Sequence, residues 1–312
     1  MSPQSQGQSA SGQVQTSSGQ TQVQRSGTRP PGDRWRLQVV HRTRFRYGGP
    51  VRSSYNEARL TPENSTRQTT LRSRVEIEPA ATAFAYRDYW GATVTAFDLH
   101  TPHTELVVTG TSIVEAGPEP GEHDHVGWSV LRGDRVRDQF GELLGPTALT
   151  EMADDVVEAA RAAVGDAYPH EAGTIVCRFV REHMEYLSGS TNVKTNAMQA
   201  WHSAQGVCQD ISHVTVGLLR ALGLPARYVS GYLHPKREAG VGHTVTGESH
   251  AWVEWWDGGW CSFDPTNSTD VGPRHVTLGR GRDYGDVPPF KGIFSGPGSE
   301  GHTVTVEVTR LA

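Results

Sequence analysis

Cysteine is scarce in this chain: Cys177, Cys208 and Cys261 are the only three among 312 residues. So sparse and odd a set is no disulfide framework of the kind that staples small secreted domains, and a reducing cytoplasm is the expected compartment. Long apolar runs are missing as well. No stretch nears the roughly 20 residues a membrane-spanning helix needs, and the opening MSPQSQGQSASGQ has neither the basic start nor the apolar run of a secretory signal. Neither a membrane nor an export route is therefore expected. Positive charge is in deficit: 29 Lys and Arg stand against 34 Asp and Glu, for a formal net charge of -5, and the basic residues are scattered. A nucleic-acid binder would carry a basic face, so that class is excluded. What remains, 36% hydrophobic and 20% charged residues, is the composition of an ordinary globular chain with room for about two domains.

Residues 1–33 are Gln, Ser, Gly and Thr with almost no large apolar side chain, too little to offset the entropy of ordering, and they are expected to be a disordered tail. Over 34–116 the runs WRLQVVHRTRFRY, TLRSRVEIEP and TELVVTGTSIVE alternate with period two between Gly, Pro and Asn breaks, which predicts an antiparallel β domain. Residues 117–146 begin with GPEPGEHDHVG and are expected to be a linker. Its His123 and His125, beside Glu122 and Asp124, are an isolated HxH in an acidic loop, read as solvated rather than metal-bound. Helical spacing then appears in TALTEMADDVVEAARAAV and in HEAGTIVCRFVREHMEYL, where Cys177 is expected to be a buried, inert thiol.

The segment from Thr195 carries the chemistry. Thr195 is placed to cap a short helix, NAMQAWHSA, which stops at Gly206. Ile211, Val214, Leu218, Leu219 and Leu222 recur at helical intervals, and Gly223 and Pro225 end the pattern, so a second helix is predicted from about Cys208 to Leu222, with the strand ARYVSGYL after it. Cys208 then sits in the first helical turn, where free N–H groups and the helix dipole favour a thiolate and offer half of an oxyanion hole. In SHAWVEWWDGGWCSFDPT a hairpin centred on Gly258 puts His250 and Asp264 on one face, diagonally adjacent, together with Ser262 and with Trp252 and Trp260, which are expected to shield the imidazole from water. A one-residue slip would part them. Cys208 as nucleophile, His250 as proton carrier and Asp264 as the group that orients the imidazole make a complete set for acyl transfer. Asp210, also in the first turn, is expected to bond Arg227 on the following strand, and Cys261 to face away from Asp264 and be inert.

The strings GVCQDISHVTVGLLRALGLPARYVSGYL, ESHAWVEWW and WCSFDPTN resemble three blocks of the bacterial transglutaminase-like superfamily, cysteine-protease type, related to animal transglutaminases and more distantly to papain-type proteases. The resemblance implies the same roles for Cys208, His250 and Asp264. Upstream, RYGGPVRSSYNEARLTPE resembles the β-rich N-terminal region of bacterial members, and HVTLGRGRDYGDVPPFKGIFSG their C-terminal portion. The implied fold is α+β: a papain/transglutaminase-like core over 147–312, with the nucleophile's helix packed on an antiparallel sheet, preceded by the β domain. Animal members use an upstream tryptophan as second oxyanion donor, a role Trp201 does not fit, and their calcium sites have no counterpart here.

The expected function is thiol-dependent acyl transfer or amide hydrolysis on a protein or peptide, at a glutamine side chain or amide carbonyl, with no cofactor and no metal. The competing class is a non-catalytic peptide-binding module on the same fold.

Overall fold

Alternating burial along the first strand explains the architecture of the N-terminal half: Leu37, Val39 and His41 point into the protein while Arg36, Arg42 and Arg46 do not. In the computed structural model, which describes residues 34–118, 123–247 and 249–312, β-structure dominates that half. The expected tail over 1–33 lies outside the described residues. Strands β1 (Trp35–Val51), β2 (Ser53–Thr61), β3 (Gln68–Glu78), β4 (Ala83–Arg87), β5 (Thr93–Leu99) and β6 (His103–Ala116) follow in order. The stretch read as a linker then carries two short helices, α1 (Trp128–Leu131) and α2 (Asp134–Phe140).

Helices α3 (Asp154–Val164) and α4 (Pro169–His183) come next, the latter with proline at its first position, where its missing N–H costs nothing. Cys177 is fully buried in α4. After β7 (Glu185–Tyr186), helix α5 (Ala197–Ser203) is capped by Asn196, whose side chain accepts from the Gln199 N–H at 2.9 Å. Thr195, expected in that role, instead accepts from the Asn192 N–H. Then β8 (Gln205–Gly206) leads into α6 (Cys208–Ala221), the helix that the spacing of Ile211, Val214, Leu218 and Leu219 predicts, with all four side chains buried.

The remaining elements are strands: β9 (Ala226–Leu233), β10 (Thr244–Gly247), β11 (His250–Trp256), β12 (Trp260–Asp264), β13 (Thr269–Asp270), β14 (His275–Gly281), β15 (Phe290–Ser295) and β16 (Ser299–Arg310). One five-stranded sheet has the order β13-β12-β11-β9-β14, and α6 packs on β9 and β11. A second five-stranded sheet, β10-β16-β1-β6-β3, and a four-stranded one, β15-β2-β5-β4, make up the β-rich part. The class is therefore α+β. The last two strands do not stay with the sheet that precedes them: β15 pairs with β2 and β16 with β1, so the chain's end closes the N-terminal sheets.

The β-rich part grips the sheet that packs under α6 along its β14 edge. Gln68 exchanges hydrogen bonds with the Thr277 backbone, its Nε2 donating at 2.9 Å and its Oε1 accepting at 2.8 Å, and Arg67 donates to the His275 carbonyl and the Thr277 hydroxyl. Among the described residues no helix is long and apolar enough to cross a membrane.

Candidate active site

Cys208 opens α6 because Val207 is extended and Asp210, three residues on, folds back to accept the Val207 N–H at 2.8 Å. Gly206 is required by that fold-back: a Cβ there would lie 2.7 Å from Cβ of Asp210. Burial is the dominant influence on Asp210 and raises its carboxyl above the ordinary range, against the Thr191 hydroxyl and Val207 N–H that it accepts from. The Cys208 side chain lies among Tyr228, Ala251, Val287 and Tyr284, with Sγ 4.0 Å from the Ser249 carbonyl oxygen.

The hairpin has the register its glycines predict. Val253 faces Phe263, Glu254 faces Ser262 and Trp255 faces Cys261, so residue numbers across the pair sum to a constant about Gly258, which has φ +116°. His250 and Asp264 consequently meet at the open end, Nε2 to Oδ2 at 2.7 Å. Ser249, whose carbonyl lies 4.0 Å from the Cys208 sulfur, directly precedes His250, so β11 begins beside the thiol. Trp252, fully buried, walls one side, its ring 6.2 Å from that of His250. It lies so close over Gly231 of β9 that a Cβ there would come within 2.6 Å of the indole.

Burial lowers the affinity of the His250 ring for its proton, but Asp264 and then Cys208 outweigh it and raise the pKa to about 10. Burial likewise opposes ionisation of Asp264, yet His250 and His275 hold its carboxyl well below the ordinary range. The site therefore favours a charged imidazolium against an ionised carboxylate at neutral pH.

Residues 37–115 match the model of the bacterial transglutaminase-like N-terminal region, and residues 155–265 that of the transglutaminase-like superfamily. ML0607 of Mycobacterium leprae is 46% identical over 278 residues, covering 89% of this chain and 100% of that protein. The chain belongs to the transglutaminase-like superfamily. Rv2569c of Mycobacterium tuberculosis is 34% identical over 291 residues, covering 88% of this chain and 91% of its own, and both relatives are uncharacterized proteins. Among solved structures, that of "a Putative Cysteine Protease from Cytophaga hutchinsonii" superposes with a TM-score of 0.68 at 21% identity, over 89% of this chain and 93% of that one. At that identity the likeness concerns the transglutaminase-like fold.

Two residues at this transglutaminase-like site escape a sequence reading. His275, fully buried on β14, places Nε2 3.3 Å from Asp264 Oδ2, while its Nδ1 accepts from the Gly272 N–H. Burial lowers its pKa to about 4 in spite of Asp264, so it is the neutral tautomer that donates to the carboxylate. Asn267 gives Asp264 its backbone N–H at 3.1 Å and its amide at 2.8 Å, and its amide lies 3.4 Å from His250 Nε2. The Asp-Pro-Thr-Asn turn was the available signal for Asn267; a lone histidine 11 residues beyond Asp264 offered none.

Three expectations are corrected. Arg227 does not bond Asp210; it pairs with Glu254 at 2.5 Å and stacks on Trp260, because Glu254 lies opposite it across β9 and β11. Trp260 thus covers Arg227 rather than the imidazole. His123 and His125 are not simply solvated: both contact the buried Asp257 carboxylate. Trp201 stacks on His183, with ring centroids 3.7 Å apart.

Proposed function

We propose that Cys208, His250 and Asp264 perform thiol-dependent acyl chemistry, the sulfur attacking a glutamine-side-chain or peptide carbonyl of a protein or peptide. The observation that carries the reading is the His250 imidazole bonded to Asp264 Oδ2 at 2.7 Å, with the Cys208 sulfur 4.0 Å from the carbonyl of Ser249, the residue before His250. As the S–C bond forms, the carbonyl oxygen becomes an oxyanion facing the N–H groups at the start of α6. Collapse breaks the C–N bond, and the leaving amine takes the proton from His250. The thioester is then cleaved by water, or by an amine, with His250 accepting the incoming proton and returning it to the sulfur. Hydrolysis is the favoured outcome. None of the three cysteines is in a disulfide, which suits a thiol nucleophile working in a reducing compartment, the cytoplasm.

The experiment incubates the protein with glutamine-containing peptides, with and without a primary amine, and follows ammonia release, chain cleavage and amine incorporation by mass spectrometry. Product from the wild type and none from Cys208→Ala supports the reading. Indistinguishable, product-free reactions would return the chain to the peptide-binding class.

A further inference from the structure

The turn of the β11–β12 hairpin holds a second cluster of donor groups, at the end opposite His250 and Asp264. Asp257 is fully buried, and its two oxygens are divided between two histidines: Oδ1 lies 2.5 Å from His123 Nε2 and Oδ2 lies 2.9 Å from His125 Nδ1. Cys261 Sγ is 3.5 Å from Asp257 Oδ1 and 3.9 Å from His123 Nε2. The ring of His125 is stacked in turn on His170 at the start of α4, 4.5 Å between centroids. Imidazole, carboxylate and thiolate are the donor set of zinc, whose tetrahedral ligand atoms stand about 3.3–3.6 Å apart given bond lengths of about 2.0–2.3 Å. Two of the three separations already lie near that range, and the third, now a hydrogen bond, widens as an ion enters.

The backbone is built for this approach. The loop bearing both histidines docks on the turn through Val126 N–H donating to the Asp257 carbonyl at 2.6 Å. Side chains at either turn glycine would block it: a Cβ on Gly258 would lie 2.1 Å from the Asp124 carbonyl oxygen, and one on Gly259 would lie 2.5 Å from the His123 ring. A carboxylate held wholly away from water by two imidazoles and a thiol, on a turn stripped of side chains to admit them, is a costly arrangement unless a cation shares it.

We propose that His123 Nε2, Asp257 Oδ1 and Cys261 Sγ bind one zinc ion, with His125 holding the second carboxylate oxygen in place. Binding releases the Cys261 thiol proton and takes the His123 imidazole in its neutral form. The ion ties the loop that follows the N-terminal β-rich part to the turn of the hairpin whose far end carries His250 and Asp264, so it fixes the hairpin rather than joining the chemistry at Cys208.

Cobalt(II) is the probe, titrated into the metal-free full-length protein, with the sulfur-to-cobalt charge-transfer band and bound metal per chain as readouts. The expected result is one ion per chain, a band present in wild type and in Cys208→Ala, and affinity weakened roughly ten-fold or more in Cys261→Ser and in His123→Gln. Zinc should also raise the melting temperature of the wild type and leave that of His123→Gln unchanged. The His123→Gln change sits on a partly exposed loop residue and tests the site even if Cys261→Ser folds poorly. A band that survives in Cys261→Ser, an affinity in His123→Gln equal to that of the wild type, a band lost in Cys208→Ala, or no metal uptake would each overturn the proposal.

Discussion

His275 and His250 share one oxygen of Asp264: Nε2 of the first lies 3.3 Å from Oδ2 and Nε2 of the second 2.7 Å from it. The two rings differ in charge, because burial keeps His275 neutral while Asp264 and Cys208 keep His250 protonated. In the proposed chemistry His275 is a positioning residue that holds the carboxylate, not a second proton carrier.

Replacing it tests that assignment. His275→Gln removes one hydrogen bond to a charged acceptor, and kcat should fall roughly ten-fold with KM little changed. The ring proton of His250 should be lost at lower pH in the variant. A fall in stability with kcat and the His250 titration untouched would assign His275 to packing alone.

The raised pKa of His250 gives a direct spectroscopic expectation. Its ring signal, followed by NMR, should show imidazolium through neutral pH and titrate toward pH 10. Asp264 is a larger contributor than Cys208, so Asp264→Asn should move the midpoint down further than Cys208→Ala does. The same change should lower kcat on the order of a thousand-fold, since an amide no longer fixes the ring or balances its charge. A wild-type midpoint at or below 6.5 would contradict the pairing. The stability sign follows: with a folded pKa above the unfolded value of 6.5, His250 stabilises the fold fully below pH 6.5 and loses that contribution as pH rises toward 10.

Local signals made the active-site end of the fold legible. The helix of Cys208 shows in five apolar positions and a glycine stop, and the hairpin register follows from its turn glycines, so His250 and Asp264 could be set on one face without any tertiary information. Illegible features depend on contacts distant in sequence. Arg227 had two carboxylates within plausible reach, and only the cross-strand pairing of β9 with β11 selects Glu254 over Asp210. His275 reaches Asp264 through the order of strands in the sheet, which short-range patterning does not encode. His123 and His125 looked solvated because their partner, Asp257, is 132 and more residues away. The return of β15 and β16 to the N-terminal sheets is hidden for the same reason.

Cys208 and Cys177 should differ sharply toward iodoacetamide near pH 6. Cys177 is fully buried in α4 and burial drives its thiol far above the ordinary range, whereas Cys208 is partly exposed beside an imidazolium. Peptide mapping after a timed pulse should find Cys208 alkylated on the order of a hundred-fold faster. Equal, slow labelling would remove the thiolate from the proposed chemistry.

Glu254 should matter more to stability than any surface ion pair of this protein. It is buried between Arg227 and Arg280, and Arg280 also pairs with Glu63, so one carboxylate ties β9, β11 and β14 to the loop before β3. Burial pushes its carboxyl up, but the two guanidinium groups overcome this and lower its pKa to about 2. Glu254→Gln leaves two half-buried guanidinium groups short of a partner, and the expected loss is about 3 kcal/mol. The exposed pair Arg36–Glu115 is the control, since breaking it should cost at most about 1 kcal/mol. The pH dependence has a definite sign. A carboxyl whose folded pKa lies below its unfolded value of 4.5 stabilises the fold above pH 4.5 and loses that contribution as pH falls toward 2. Denaturant melts of wild type and Glu254→Gln at pH 7 and pH 3 should therefore converge at the lower pH, and a difference that stays constant would show that the substitution acts through packing, not charge.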